Sequence, residues 1–104
     1  MREPDWDSNG LVAAVVQDAE TAQVLMLGWM NAAAFEATRE TGRVTFWSRS
    51  RQELWQKGAT SGNSLELVAI DLDCDGDAVL VQAIPHGPTC HLGTTTCWGD
   101  RDVA

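Results

Sequence analysis

Apolar residues occur along this chain in short runs broken by polar and glycine-containing stretches, a pattern that predicts strands joined by turns. Leu11 to Val16 is a valine-rich run that reads as a strand, and Val24 to Trp29 reads as a second. Asp18-Ala19-Glu20-Thr21 lies between them as a turn, so the pair predicts a hairpin. Residues 1–9 ahead of it read as a loose N-terminal arm. Asn31 can cap a helix, because its side-chain oxygen can accept the free N–H groups of a first turn. Ala32 to Thr41 follows with good helix formers, Phe35 and Thr38 on one face, and Gly42 suits a left-handed stop.

Val44 to Ser48 predicts a third strand, and the polar residues 49–64 predict a long loop. Leu65 to Cys74 and Ala78 to Ile84 read as strands joined by Asp75-Gly76, a two-residue hairpin signal. From Pro85 onward, glycines and prolines imply irregular backbone. The expectation is one domain over residues 1–104 of the α+β class: strand-rich, with a mostly antiparallel sheet and one covering helix.

Composition narrows the function. A hydrophobic fraction of 44% suits a globular chain, and no apolar run approaches the ~18 residues of a membrane span. The N-terminus lacks the apolar core of a secretion signal, so a cytoplasmic protein is expected. A formal charge of -8 opposes nonspecific binding to nucleic acid or acidic membranes. The charge is uneven, however: Arg39, Arg43, Arg49, Arg51 and Lys57 hold five of the seven basic residues, a local surface that suits a phosphorylated small molecule or is simply a solvated face.

Asp71, Asp73, Asp75 and Asp77 crowd one predicted hairpin. Like charges this dense are costly unless solvated or bound to a cation, and carboxylates are the hard ligands that Mg²⁺ prefers. An EF-hand is excluded, because its bidentate Glu would fall at Gln82 and the flanks read as strands. The three cysteines, Cys74, Cys90 and Cys97, lack the paired short spacing of a zinc finger. They are either unrelated buried thiols or three ligands of a zinc ion with an open position for water, an arrangement that suits catalysis. Cys74 would face away from Asp73 and Asp75 on a regular strand, so one segment could feed two metal sites, one of them completed by a second chain. His91, beside Cys90, and His86 nearby could each be a fourth ligand, a general base or a loop histidine, and the neighbouring thiol favours proton transfer for His91.

Ser48-Arg49-Ser50-Arg51, Lys57-Gly58 and Thr60-Ser61-Gly62-Asn63 carry the guanidinium forks, ammonium, hydroxyls and accessible N–H groups that hold phosphate oxygens. Trp47 and Trp55 could stack on a base or belong to the core.

Together with Met30-Asn31, Leu54-Trp55, Asp73-Cys74-Asp75, Asp77, Gly87-Pro88, Cys90-His91, Gly93 and Cys97, these segments resemble the phosphoribosyl-AMP cyclohydrolase family over about residues 10–98. The resemblance implies a hydrolase of histidine biosynthesis that adds water at C6 of the purine of 1-(5-phosphoribosyl)-AMP and opens the N1–C6 bond. It implies a strand-rich pseudo-barrel and a homodimer whose zinc is held by Cys74, Cys90 and Cys97, with Cys74 crossing from the partner. It implies magnesium on Asp73, Asp75 and Asp77. Zinc-bound hydroxide would then be the nucleophile; residue type and neighbourhood, rather than the resemblance, suggest His91 as the proton carrier and Arg49, Arg51, Lys57, Thr60, Ser61 and Asn63 as the phosphate contacts. Leu92 and Trp98 depart from the Thr and Phe common in the family, which touches packing rather than ligands. Many relatives carry a second, pyrophosphohydrolase domain; with Ala104 last here, that activity is expected to reside elsewhere. The competing functions are a noncatalytic zinc-stabilised binding module and a zinc deaminase, and the second lacks its His-x-Glu and Cys-x-x-Cys signatures.

Overall fold

In the computed structural model, which describes residues 3–99 and 102–104, strand β1 (Val12–Asp18) turns back into β2 (Val24–Met30) as an antiparallel hairpin. Helix α1 (Ala32–Thr41) follows, then β3 (Thr45–Ser48), β4 (Glu53–Gln56), β5 (Leu65–Leu72) and β6 (Ala78–Pro85). Four strands form a sheet in the order β2-β1-β6-β5, and β3 and β4 form a second sheet of two. The α+β, strand-rich class therefore holds, and the pairings are antiparallel except for β1 with β6. The sheets do not close into a barrel among the described residues.

Local chemistry explains the elements. Strict alternation in β1 buries Val12, Ala14 and Val16, and the parallel register sets Ala14 beside Val79 and Val16 beside Val81. Asn31 Oδ1 accepts from Ala34 N at 2.8 Å, and Gly42, at φ 72°, donates to the Thr38 carbonyl. The Thr38 hydroxyl donates to the Ala34 carbonyl and accepts from Thr45 N, both at 2.9 Å, which ties the buried face of α1 to β3. Gly28 brings β2 against β3, because any Cβ there would overlap the Phe46 ring.

Three expectations need correction. Residues 49–64 are not all loop: β4 pairs with β3, setting Phe46 opposite Trp55 with ring centroids 5.5 Å apart. That aromatic cross-strand pair stabilises a strand whose polar ends hide it. The β5–β6 connection spans Asp73 to Asp77 rather than two residues. Asp73 accounts for this: its N–H donates to the Ala78 carbonyl, and its side chain accepts from Ala78 N. The arm is also tied down over residues 3–9. Pro4 is buried, the Trp6 ring meets Phe35 edge-on at 5.9 Å, and Asp5 N donates to the Gly76 carbonyl. Burial of Pro4 and part of the Trp6 indole acts together with the hydrogen bonds of Asp5 and Asp7 to offset the entropy lost on ordering these residues.

Candidate active site and metal-binding loop

The glycine-containing loop and the cysteine turn meet in one cleft of about 530 Å³. Lys57, Thr60, Ser61 and Asn63 line it from one side, and Cys90 and His91 from the other. Glycine makes the meeting possible. Gly58 sits at φ 79°, and a Cβ there would overlap the backbone of Asn63 and Ser64; Gly87 sits at φ 134° against the Asn63 side chain. Gly58→Ala is accordingly expected to cost about 1–3 kcal/mol, lowering Tm by about 5–15 °C in a thermal melt, because left-handed strain adds to overlap with backbone that cannot yield.

Cys90 is buried in a turn closed by Cys90 N donating to the Thr94 carbonyl and Gly93 N donating to the Cys90 carbonyl. His91 is exposed at the tip of that turn. Cys97 is half-buried against the core, its N–H donating to the Leu25 carbonyl of β2. His86 belongs elsewhere: its Nε2 lies 2.9 Å from Glu66 Oε1, in a separate cleft with Arg43 and Ser64. Arg49 and Arg51 line a neighbouring cleft that shares Trp55 with the first. The Arg49 guanidinium lies 4.6 Å over the Trp29 ring, and Arg51 pairs with Glu53 at 3.6 Å, both at the exposed surface. Trp47 is half-buried and lines that second cleft.

The aspartates gather at the opposite end of the sheet. Asp73, Asp75 and Asp77 present carboxylate oxygens all within 4.8 Å of one another. Opposite ligands of an octahedral Mg²⁺ stand about 4.2 Å apart, so the spacing fits such an ion. Electrostatics agree: hydrogen bonding with Asp75 and then Asp73, reinforced by their like charges, pushes the Asp77 carboxyl up to about 6, while the bond from Asp77 holds Asp75 low.

The proton on Asp77 favours the folded state fully below about 3.8, and that contribution is lost as pH rises through about 6. A cation must displace the same proton. If the cradle takes Mg²⁺, the affinity is expected to fall about tenfold per unit as pH drops below about 6, with proton release visible in calorimetry as a dependence on buffer ionisation heat.

The thiols do not converge within one chain. Among the described residues the aspartates are the group of three potential ligands close enough to share an ion. Cys74 lies in the loop ahead of β6, and Cys90 follows the other end of that strand. Eight residues of β6 separate these ends by roughly 23 Å. A zinc site of three thiolates needs each sulfur about 2.3 Å from one ion. Cys90 and Cys97 lie toward the same end of the sheet and fit such a site only if another molecule brings a third thiol.

Sequence reasoning missed Thr89, which is 1% exposed and joins the basic loop to Cys90. Its position just before Cys90 was the available signal. The role of Gly87 as a seat for Asn63 was equally hidden, since the two are distant in sequence.

Fold and clusters together define a class: a small α+β domain with a hydroxyl-, thiol- and histidine-lined cleft at one end of its sheet and a carboxylate cradle at the other. Residues 26–99 match the family described as PRA-CH, phosphoribosyl-AMP cyclohydrolase, and the chain belongs to that family. It is 60% identical over 97% of its length to the histidine biosynthesis bifunctional protein HisIE of Shewanella oneidensis, covering 48% of that protein. The protein of the same name from Bacteroides thetaiotaomicron is 56% identical over 96% of the chain, with 50% of the relative covered. The corresponding Xanthomonas campestris protein is 60% identical over 90% of the chain, with 46% covered. The chain thus spans about half the length of these curated relatives.

Proposed function

We propose that this chain hydrolyses the N1–C6 bond of 1-(5-phosphoribosyl)-AMP in histidine biosynthesis, working as a cytoplasmic homodimer with zinc and magnesium. Besides family membership, the observation that carries the reading is the meeting of Cys90 and His91 with Thr60, Ser61 and Asn63 in one cleft. When bound, zinc supplies a water of pKa about 7, and magnesium supplies positive charge for carboxylates and phosphates.

The chain's residues do the rest. Cys90 and Cys97, with Cys74 of a second copy, would hold the zinc, and Asp73, Asp75 and Asp77 the magnesium. Thr60, Ser61 and Asn63 offer donors to one phosphate end, and Arg49 and Arg51 offer forks to the other. Trp55, on the wall common to both clefts, suits the purine between them. Addition of water puts oxygen on C6, the C6–N1 electrons return to N1, and His91 moves the proton that N1 requires.

The surface as well as the separated thiols supports dimerisation. Val24, Leu27, Leu54, Trp55, Leu92 and Trp98 are exposed apolar side chains, and Leu27 and Trp55 line the same cleft. No helix among the described residues is long and apolar enough to cross a membrane.

The test is absorbance change on mixing purified chain with phosphoribosyl-AMP, before and after stripping with a zinc chelator. Turnover that disappears on stripping and returns with zinc supports the reading. Zinc-replete protein with no turnover leaves the noncatalytic zinc-stabilised binding module.

A further inference from the structure

Lys57 was expected among the phosphate ligands, but its half-buried ammonium is engaged by the protein's own backbone. Nζ donates to the Thr89 carbonyl at 2.5 Å, joining segments 32 residues apart. That carbonyl belongs to the same peptide unit as the Cys90 N–H, which donates to the Thr94 carbonyl at 3.1 Å. The rigid plane ahead of Cys90 is therefore held at both edges, and its orientation helps to set where the Cys90 Cα–Cβ bond points.

The rest of Lys57 is anchored too. Its N–H donates to the Val44 carbonyl at 3.1 Å, and its ammonium lies 5.5 Å from the Trp55 ring centroid. The Thr89 hydroxyl is buried with no hydrogen-bond partner, so the Thr89 side chain contributes no polar anchor of its own. Arg49 and Arg51, by contrast, stand at the exposed surface, where a phosphate can reach them.

We propose that Lys57 is a positioning residue, which orients Cys90 in the cleft by clamping the Thr89–Cys90 peptide rather than by holding a substrate phosphate. The inference rests on the reading of the cleft as the active site. A carbonyl clamp needs a donor, whereas a phosphate contact needs positive charge. Three variants separate these needs: Lys57→Arg keeps charge and donors, Lys57→Gln keeps a donor without charge, and Lys57→Met keeps neither.

The experiment measures, on the full chain, the rate at which iodoacetamide alkylates Cys90 in metal-free protein, followed by peptide mass mapping. Alongside it, zinc affinity is measured by competition with a chromophoric chelator, and kcat and KM with phosphoribosyl-AMP. The clamp predicts at least about tenfold faster alkylation and tenfold weaker zinc binding in Lys57→Met, with Lys57→Arg close to wild type, Lys57→Gln (its donor one bond shorter) between the two, and the catalytic loss falling on kcat. A rise in KM shared by Lys57→Gln and Lys57→Met, with Cys90 reactivity unchanged, would overturn it. Should Lys57→Met fail to fold, Lys57→Gln against Lys57→Arg still decides: faster Cys90 alkylation in Lys57→Gln with KM unchanged supports the clamp, and a raised KM with alkylation unchanged overturns it. Alkylation requires neither zinc nor turnover, so a chain without cyclohydrolase activity would end the functional reading and still leave the clamp open to measurement.

Discussion

Cys74→Ala protein and Cys90→Ala protein are each expected to fall below about a hundredth of wild-type turnover, yet an equimolar mixture with exchanged subunits should recover about a quarter of it. The expectation follows from geometry. Cys74 and Cys90 flank opposite ends of the eight-residue β6, so one chain cannot bring both to one ion. In a symmetric dimer with crossed ligands, each site takes Cys74 from one copy and Cys90 with Cys97 from the other. A mixed dimer then has one site lacking both altered positions and one site intact. Random exchange makes half the dimers mixed, each with one good site of two, which gives the quarter. Turnover and zinc stoichiometry on the re-equilibrated mixture check it. No recovery in a mixture proven to contain mixed dimers would show that the thiols do not cross between copies.

The parts of the fold readable from the chain were those with local causes. Asn31 and Gly42 bound α1 because a cap and a left-handed stop are properties of one residue and its neighbours. The β1–β2 hairpin likewise announced itself by two short apolar runs and the turn between them. The parallel contact of β1 with β6 was not legible, since it joins residues more than sixty positions apart through no sequence signal of its own. β4 escaped notice for a related reason. Leu54 and Trp55 sit between polar residues, and their strand is stabilised by Phe46 across the pair rather than by its own pattern.

The candidate site divided in the same way. Asp73, Asp75 and Asp77 are close in sequence, and a short connection between β5 and β6 brings their carboxylate oxygens within 4.8 Å of one another. Lys57, Thr60, Ser61 and Asn63 could be grouped with one another, but their meeting with Cys90 and His91 depends on Gly58 and Gly87 permitting close backbone approach. The engagement of Lys57 with Thr89 could not be foreseen, because the acceptor is a main-chain carbonyl, which residue type does not reveal.

His91→Ala should lower kcat by about 10²–10⁴ while leaving KM within about twofold and zinc content unchanged. Ring opening leaves electron density on N1 and requires a proton there as the C6–N1 bond breaks. The cleft offers few groups for that transfer among the described residues. Thr60, Ser61 and Asn63 do not exchange protons readily near neutrality. Lys57 is bonded to the Thr89 carbonyl, and His86 lies in another cleft against Glu66. His91 is exposed at the tip of a turn that fixes it one residue from Cys90, so its imidazole can approach substrate without disturbing the buried thiol. A purely structural histidine would not respond to small molecules. Added imidazole is therefore expected to restore part of the lost turnover in His91→Ala and none in Cys90→Ala. Wild-type kcat in His91→Ala across the whole pH range, or rescue that is absent at every imidazole concentration, would remove the proton-transfer role.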